Sequence, residues 1–420
     1  MKKLLVLFLI GFLALPLCLF ADDEEAHAED TEIAEGDEAD DASSGKGQFR
    51  IKDRTVEIGF LQGRIGFANN FLSTSQIFKE RMVIDLDDLG NGFKVNFDLN
   101  FIPLSFNYTA KDREWGFGFY TGLEAMGALD LSGKMLTLNR AKNDKSDIVG
   151  AAFIDVKGSS FFKVKPINTK FKVNLSTFYP LFYIDPNISY SLDNSGKSTK
   201  IDIDYKLRIY TPVSMEDDAS SAITSSPGVD IQLGAEYPLA QALGLTEKFG
   251  FLDFIVGLDL LNIPIIPGEM KSYTEMAGRI GGEKEIDIDD ADIVNTEDNK
   301  YGNSPKKIFR PFKMLAWADW KPFDTIPVSF IPTLGFAINP MYHEPGSLEA
   351  GVKARFDLAN MFITTLGTGY YDRMWKNSID LIFNLRFVEF NFGVDFRSQD
   401  LVKSWSGGGF GANFGFKFGG

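Results

Sequence analysis

Cysteine is almost missing: the 420-residue chain has one, Cys18. It lies inside MKKLLVLFLIGFLALPLCLFADDEE, which reads as an export signal. Lys2 and Lys3 form a basic start, Leu4 to Leu15 an apolar core, Pro16 breaks it, and Ala21 ends a cleavage site. Leu17 precedes Cys18 where lipidation needs a small residue, so an ordinary leader is expected. The mature chain then carries no thiol, which excludes disulfides, thiol redox chemistry and Cys-based metal sites. Histidine is nearly as scarce, with only His27 and His343. No HExxH occurs and no Ser-His-acid set assembles around either residue, so the chain does not read as an enzyme and implies no cofactor.

Long apolar runs are lacking too. The longest is that N-terminal stretch, short of the roughly 20 residues a spanning helix needs. Basic clusters are also missing. The formal net charge is −15, and it moves further from zero once Lys2 and Lys3 are cleaved. No surface is available to neutralise phosphates, which excludes nucleic acid as a partner. Twelve acidic side chains and no basic one fall between residues 22 and 41. Such a block repels itself and buries nothing, so residues 22–48 read as an acidic disordered tail.

What the chain has in abundance is phenylalanine, 39 copies, and glycine, 40. From residue 92 onward a two-residue period governs both, which is the period of a strand with two unlike faces. GFKVNFDLNF (92–101) sends Phe93, Val95, Phe97, Leu99 and Phe101 one way and Lys94, Asn96, Asp98 and Asn100 the other. KIDIDYKLRIYTP (200–212) opposes Ile201, Ile203, Tyr205, Leu207 and Ile209 to Asp202, Asp204, Lys206 and Arg208. WGFGFYTGLEA (115–125), VDIQLGAEY (229–237), LEAGVKARFD (348–357) and IDLIFNLRFVEFNFGVDFR (379–397) obey the same rule. The last hairpin is expected to turn at Val388-Glu389.

Links expected to be short (Val388-Glu389, Asp357–Asn360, Lys321–Ile326) alternate with longer ones (Asp372–Asn377, Asn339–Gly346, Gly268–Ile308). Short turns on one side and long loops on the other is the habit of outer-membrane barrels, with both termini periplasmic. A short turn at Tyr179-Pro180-Leu181 falls on the wrong side for this scheme. The fold expected is all-β: a transmembrane antiparallel β-barrel of 14–16 strands over residues 92–420. Residues 49–91 would supply an N-terminal hatch in the lumen or a first strand.

The expected location is the outer membrane, with lipid against the apolar faces. The final stretch, GGGFGANFGFKFGG, puts Phe410, Ala412, Phe414, Phe416 and Phe418 on one face. It resembles the signal read by barrel-assembly machinery, although it ends in Gly419-Gly420 instead of an aromatic. Within residues 56–92, Gly66-Phe67-Ala68-Asn69-Asn70 is similar to the start of spirochaete outer-membrane barrels of the long-chain fatty-acid transporter (FadL-like) family. FYPLFYIDPNISYSL (178–192) resembles that family as well. The resemblance implies fourteen strands, a lumenal hatch built from residues such as Phe60, Phe67, Asn69, Asn70 and Phe71, and uptake of hydrophobic small molecules such as long-chain fatty acids.

Asp98, Asp202, Asp204, Lys206, Arg208, Asp380, Arg386, Asp395 and Arg397 would face the lumen. There they either hold a cargo carboxylate or pair with one another across the wall. EKEIDIDDADIVNTEDNK (283–300) lacks the glycine and terminal glutamate of an EF-hand loop and reads as solvated loop, so no metal site is expected. Two other functions fit the same pattern: a general diffusion porin, and a surface-exposed structural or adhesive barrel acting through loops 212–228 and 268–308.

Overall fold

The computed structural model describes residues 54–70, 93–131, 141–142, 146–193, 199–213, 223–249, 251–284, 298–323, 326–406 and 408–420. The acidic tail, Phe71, the rest of the hatch segment to residue 91, and residues 285–297 lie outside the described residues. The chain opens with β1 (Val56–Asn69), β2 (Phe93–Thr109), β3 (Trp115–Leu131), β4 (Ala141–Lys142), β5 (Asp147–Val164) and β6 (Thr169–Asp193). Next come β7 (Thr199–Tyr210), β8 (Ser225–Ser226), β9 (Gly228–Tyr237), β10 (Asp253–Ile266), β11 (Gly268–Lys284) and β12 (Asp298–Ile308). β13 (Phe312–Lys321), β14 (Val328–Ile338), β15 (Gly346–Leu358), β16 (Phe362–Tyr371), β17 (Met374–Asn384), β18 (Val388–Ser398) and β19 (Gly409–Gly419) complete the sheet. Two single-turn helices, α1 (Leu239–Ala242) and α2 (Leu245–Lys248), join β9 to β10, and α3 (Leu401–Ser406) joins β18 to β19.

Fourteen of these strands form a closed antiparallel ring, at the lower end of the expected range: β1, β2, β3, β5, β6, β9, β10, and β13 through β19, which pairs back to β1. Closure removes sheet edges, so wall peptide groups find partners without water. The two-residue period then sorts the side chains. Phe117, Phe119, Leu334, Leu348, Leu366, Phe392, Phe410 and Phe414 stand exposed on the outside, while Asp155, Asp230, Glu349, Asp395 and Arg397 are buried. A soluble protein has the reverse arrangement; an apolar belt on this scale is the surface of a transmembrane barrel.

The links 110–114, 359–361 and 385–387 sit at the end where the start of β1 meets Gly420, the first and last described parts of the barrel. The last of them, Leu385-Arg386-Phe387, is where the β17–β18 hairpin turns, not Val388-Glu389. At the opposite end Asp372-Arg373 is a two-residue turn, with φ of 51° and 64°, not a long loop. The type I′ geometry that suits a twisted hairpin demands positive φ at both positions.

Two strand expectations are corrected. Tyr179-Pro180-Leu181 is no turn: Pro180 lies inside β6, buried, where the register against β5 slips between Ala152 and Phe153. A bulge tolerates a residue without an N–H. β6 is therefore 25 residues long and serves two partners. Its first half (Lys170–Phe178) pairs with β9 in the ring, and its second half (Tyr183–Asp193) pairs with β7. β7 pairs with β11 and β11 with β12, so these three strands extend one side of the wall beyond the ring. The alternating stretch 201–209 thus belongs to the extension, and Gly268–Ile308 contains two strands of it. Alternation reports two unlike faces, but it does not report whether lipid or water meets them.

The ring closes at a seam built on glycine. Asp395, Gly411, Gly66 and Asp98 occupy one row across β18, β19, β1 and β2. Arg397 lies flat along that row and bonds both Asp395 and Asp98. A Cβ on Gly66 or Gly411 would overlap the guanidinium. Arg54 secures the other end of the seam, donating to the Arg386 carbonyl (2.9 Å), Asn384 (2.7 Å) and Glu389 (3.1 Å).

Arg397→Ala leaves the buried Asp395 carboxylate and the partly exposed Asp98 with only the longer Arg64 contacts (3.4 and 3.9 Å), and is expected to destabilise the folded barrel by about 3 kcal/mol. The measurement is the midpoint of heat-induced loss of the compact band on detergent gels. Ile65→Val, one residue from the seam row on the lipid face, should stay within about 1.5 kcal/mol of wild type.

Candidate functional site

The ring encloses a cavity of about 860 Å³. Its walls come from the inward parity of nearly every strand: Asn96, Asp98 and Asn100 from β2, Tyr120 and Glu124 from β3, Asp155 and Lys157 from β5. Lys313, Trp317, Glu349, Lys353 and Tyr371 line the opposite side. Cationic and anionic linings are equal in number.

Most of these charges are spent on one another. Arg310, in the link between β12 and β13, is 1% exposed at its side chain and reaches Asp230 (2.7 Å), Asp155 (3.1 Å) and the Ser176 hydroxyl (2.6 Å). Its guanidinium also stacks on Phe178, 4.9 Å from the ring centre. Three strands, β5, β6 and β9, are tied together at one cation. Lys313 binds Glu349 (2.9 Å) and Asp372, and Lys376 also binds Asp372 (2.9 Å). Asn413 donates to Asp380 (2.7 Å). Pairing of this quality is what makes ions tolerable in a desolvated wall.

Above the cavity, at the long-connection end, the lining turns apolar. Val149, Ala151, Phe153, Phe178, Tyr183, Tyr210, Met270 and Ile308 form one buried cluster. It includes Met341, from the link 339–345 between β14 and β15, with Tyr342 packed against it. Around the ring, four wall strands separate β14 from β5 one way and seven separate β15 from β5 the other way. The link therefore straps the mouth from side to side. Asp147, at the start of β5, holds it: one carboxylate oxygen accepts the His343 backbone N–H (2.9 Å) and lies 2.6 Å from His343 Nδ1. On the near side the Arg373 guanidinium stacks on Tyr342 at 4.1 Å.

The expected lumen residues divide into groups. Asp98, Asp380, Asp395 and Arg397 face the interior, as parity demanded. Lys206 and Arg208 stand on the extension, where both bind Glu275 (2.9 and 2.8 Å). Asp202 and Asp204 belong to the same β7, with side chains outside the described ones. Arg386 sits in the β17–β18 link at φ 70°, not on a wall. Phe60 and Phe67 point outward from β1, Asn69 ends that strand and Asn70 follows it. Residues 56–69 are thus a first wall strand, because their apolar faces match the lipid side of β2 and β19 in register. Asp230 and Gln232 were legible by parity in VDIQLGAEY. Arg310 was not, because it lies in a link where no period runs.

No family model matches the sequence, and no curated protein matches it. Among solved structures, the TodX deltaS2S3 mutant monoaromatic hydrocarbon channel is 8% identical, covering 88% of this chain and 91% of that one at a TM-score of 0.48. The Pseudomonas putida toluene transporter TodX is also 8% identical, with 87% and 89% covered at 0.43. Pseudomonas putida OprB gives 7% identity, with 86% and 92% covered at 0.23. All three scores are low, and the fold rests on the chain's own strand pairing.

Hydrogen bonds from Lys206, then Arg208, hold the Glu275 carboxyl below its ordinary range. A depressed carboxylate stabilises the folded form above its unfolded pKa and loses that contribution as pH falls through the folded value. The β7–β11 pairing is therefore expected to keep this contribution at neutral pH and to lose it only as pH falls below the ordinary carboxylate range. Amide exchange at residues 273–277 in detergent, followed across pH and corrected for intrinsic rates, should show it. The Glu275→Gln variant should lack the dependence.

Proposed function

We propose that this chain is an outer-membrane channel that admits small hydrophobic molecules through a strapped mouth. The observation that carries the reading is the link 339–345, tied across the mouth by His343 to Asp147 and placing Met341 in the same buried cluster as Met270, Phe153 and Phe178. A general porin needs a wetted path for hydrated solutes. A constriction of methionine and aromatic side chains rejects hydrated ions by dewetting while giving apolar solutes dispersion contacts. The pairing of Arg310, Lys313, Lys376 and Arg397 with carboxylates supports the same reading, since cations already so bound offer little to a polar cargo. Long-chain fatty acids are the cargo implied by the family resemblance in the sequence. Delivery would begin with export and cleavage near Ala21, and insertion would use the aromatic face of β19.

Planar-bilayer recording tests the strap. Wild-type protein is expected to give rare, small openings, and deletion of residues 340–344 to raise mean conductance at least tenfold. In a Cys18→Ser background, Asp147→Cys with His343→Cys should lock uptake of a fluorescent apolar tracer into vesicles, with reductant restoring it. Large persistent wild-type currents would overturn the gated reading in favour of a porin.

A further inference from the structure

Helix α3 reverses the polarity of an ordinary surface helix. On β17 the outward face carries Ile379 and Phe383, both exposed, and the two-residue period puts Asn377 on that same face. Asn377 is in register with outward-facing Phe396 of β18. Two polar groups on the lipid side of the wall need explaining: Asn377 is only 4% exposed and Ser398, two residues from Phe396, is 0% exposed.

The helix accounts for the first of them. Asn377 Nδ2 donates to the Ser404 hydroxyl (2.8 Å), and Thr368 donates to Asn377 Oδ1 (2.7 Å). Ser404 itself is fully buried. The Asp400 carboxylate accepts the Val402 and Lys403 N–H groups (2.8 and 3.0 Å), so the first turn of α3 is capped. The polar side of the helix is thus turned toward the barrel. Its far side presents Leu401, Val402 at 77% exposure and Trp405 at 68%.

We propose that α3 is an interfacial anchor, lying in the leaflet at the long-connection end with Leu401, Val402 and Trp405 against lipid near the glycerol level. The proposal rests on the transmembrane reading of the belt. The apolar side of α3 continues that belt: Phe396 and Phe410, partners across β18 and β19, are exposed on the wall strands that the helix joins. Indole at the boundary gains from both an apolar body and a polar N–H. Water on this face would leave three large apolar groups wetted and the buried serine–asparagine bonds without a purpose. The helix would fix the depth at which the barrel rides in the bilayer.

Brominated lipids test it. The full chain is reconstituted in phosphatidylcholine vesicles carrying bromine either near the ester end or near the methyl end of the acyl chains. The emission lost in Trp405→Phe relative to wild type isolates Trp405. Shallow bromine is expected to quench that component at least twofold more than deep bromine, and aqueous iodide to quench it least. Strong iodide quenching with none from lipid would place α3 in water and overturn the proposal. Protection from every quencher would do the same by pointing to a second copy over the helix, while stronger deep quenching would remove the interfacial placement. Should Trp405→Phe fail to fold, a polarity-sensitive label on Val402→Cys in a Cys18→Ser background reads the same outcomes. The belt itself is checked separately by labelling Leu366→Cys in that background, so loss of the anchor and loss of the transmembrane reading are distinguishable.

Discussion

Backbone hydrogen bonding in hydrocarbon is the constraint on which everything else hangs. A peptide group facing lipid has no solvent to fall back on, so the pairing of β1 with β19 is a condition for the rest of the wall. That pairing joins segments about 350 residues apart in the chain, and local propensity does nothing to bring them together. The protein places its most demanding polar device at this junction. Arg397 reaches over two glycines to a carboxylate three strands away, so the seam is held by side chains as well as by its ladder.

The abundance of phenylalanine and that of glycine are two sides of one solution. Outside, phenylalanine supplies area to the lipid at the cost of few rotatable bonds. Inside, glycine removes the side chain from one strand so that an asparagine or arginine from the next can lie against the wall. Asn413 does this over Gly393 to reach Asp380, and Arg397 over Gly66 and Gly411. A lumen lined by polar groups lying flat keeps its cavity, with the buried apolar cluster beyond it at the long-connection end.

Much of the wall was legible in residue order because parity is a local signal. The stretches Phe93 to Phe101, Trp115 to Phe119 and Val388 to Phe396 all face as their period required. The errors arise where distance in the chain decides. Ile201 to Ile209 has faultless alternation, yet its partner is the second half of a strand already used by the ring. Pro180 looked like a turn because a proline without a ladder bond is hard to place, and only the slipped register of β5 shows where it fits. The strap was invisible for the same reason: nothing near His343 names Asp147 as its partner. Arg310 sat beside Pro311 outside any period, so its three acceptors could be found only in space.

The length of β6 carries a mechanical implication. One continuous backbone belongs to the ring along Lys170–Phe178 and to the extension along Tyr183–Asp193, with no hinge loop between the two stretches. A load applied to the outlying strands is carried as stress along that shared spar, into Phe178 and the cation stacked on it. Anything that seizes the extension from outside therefore pulls on the rim of the cavity.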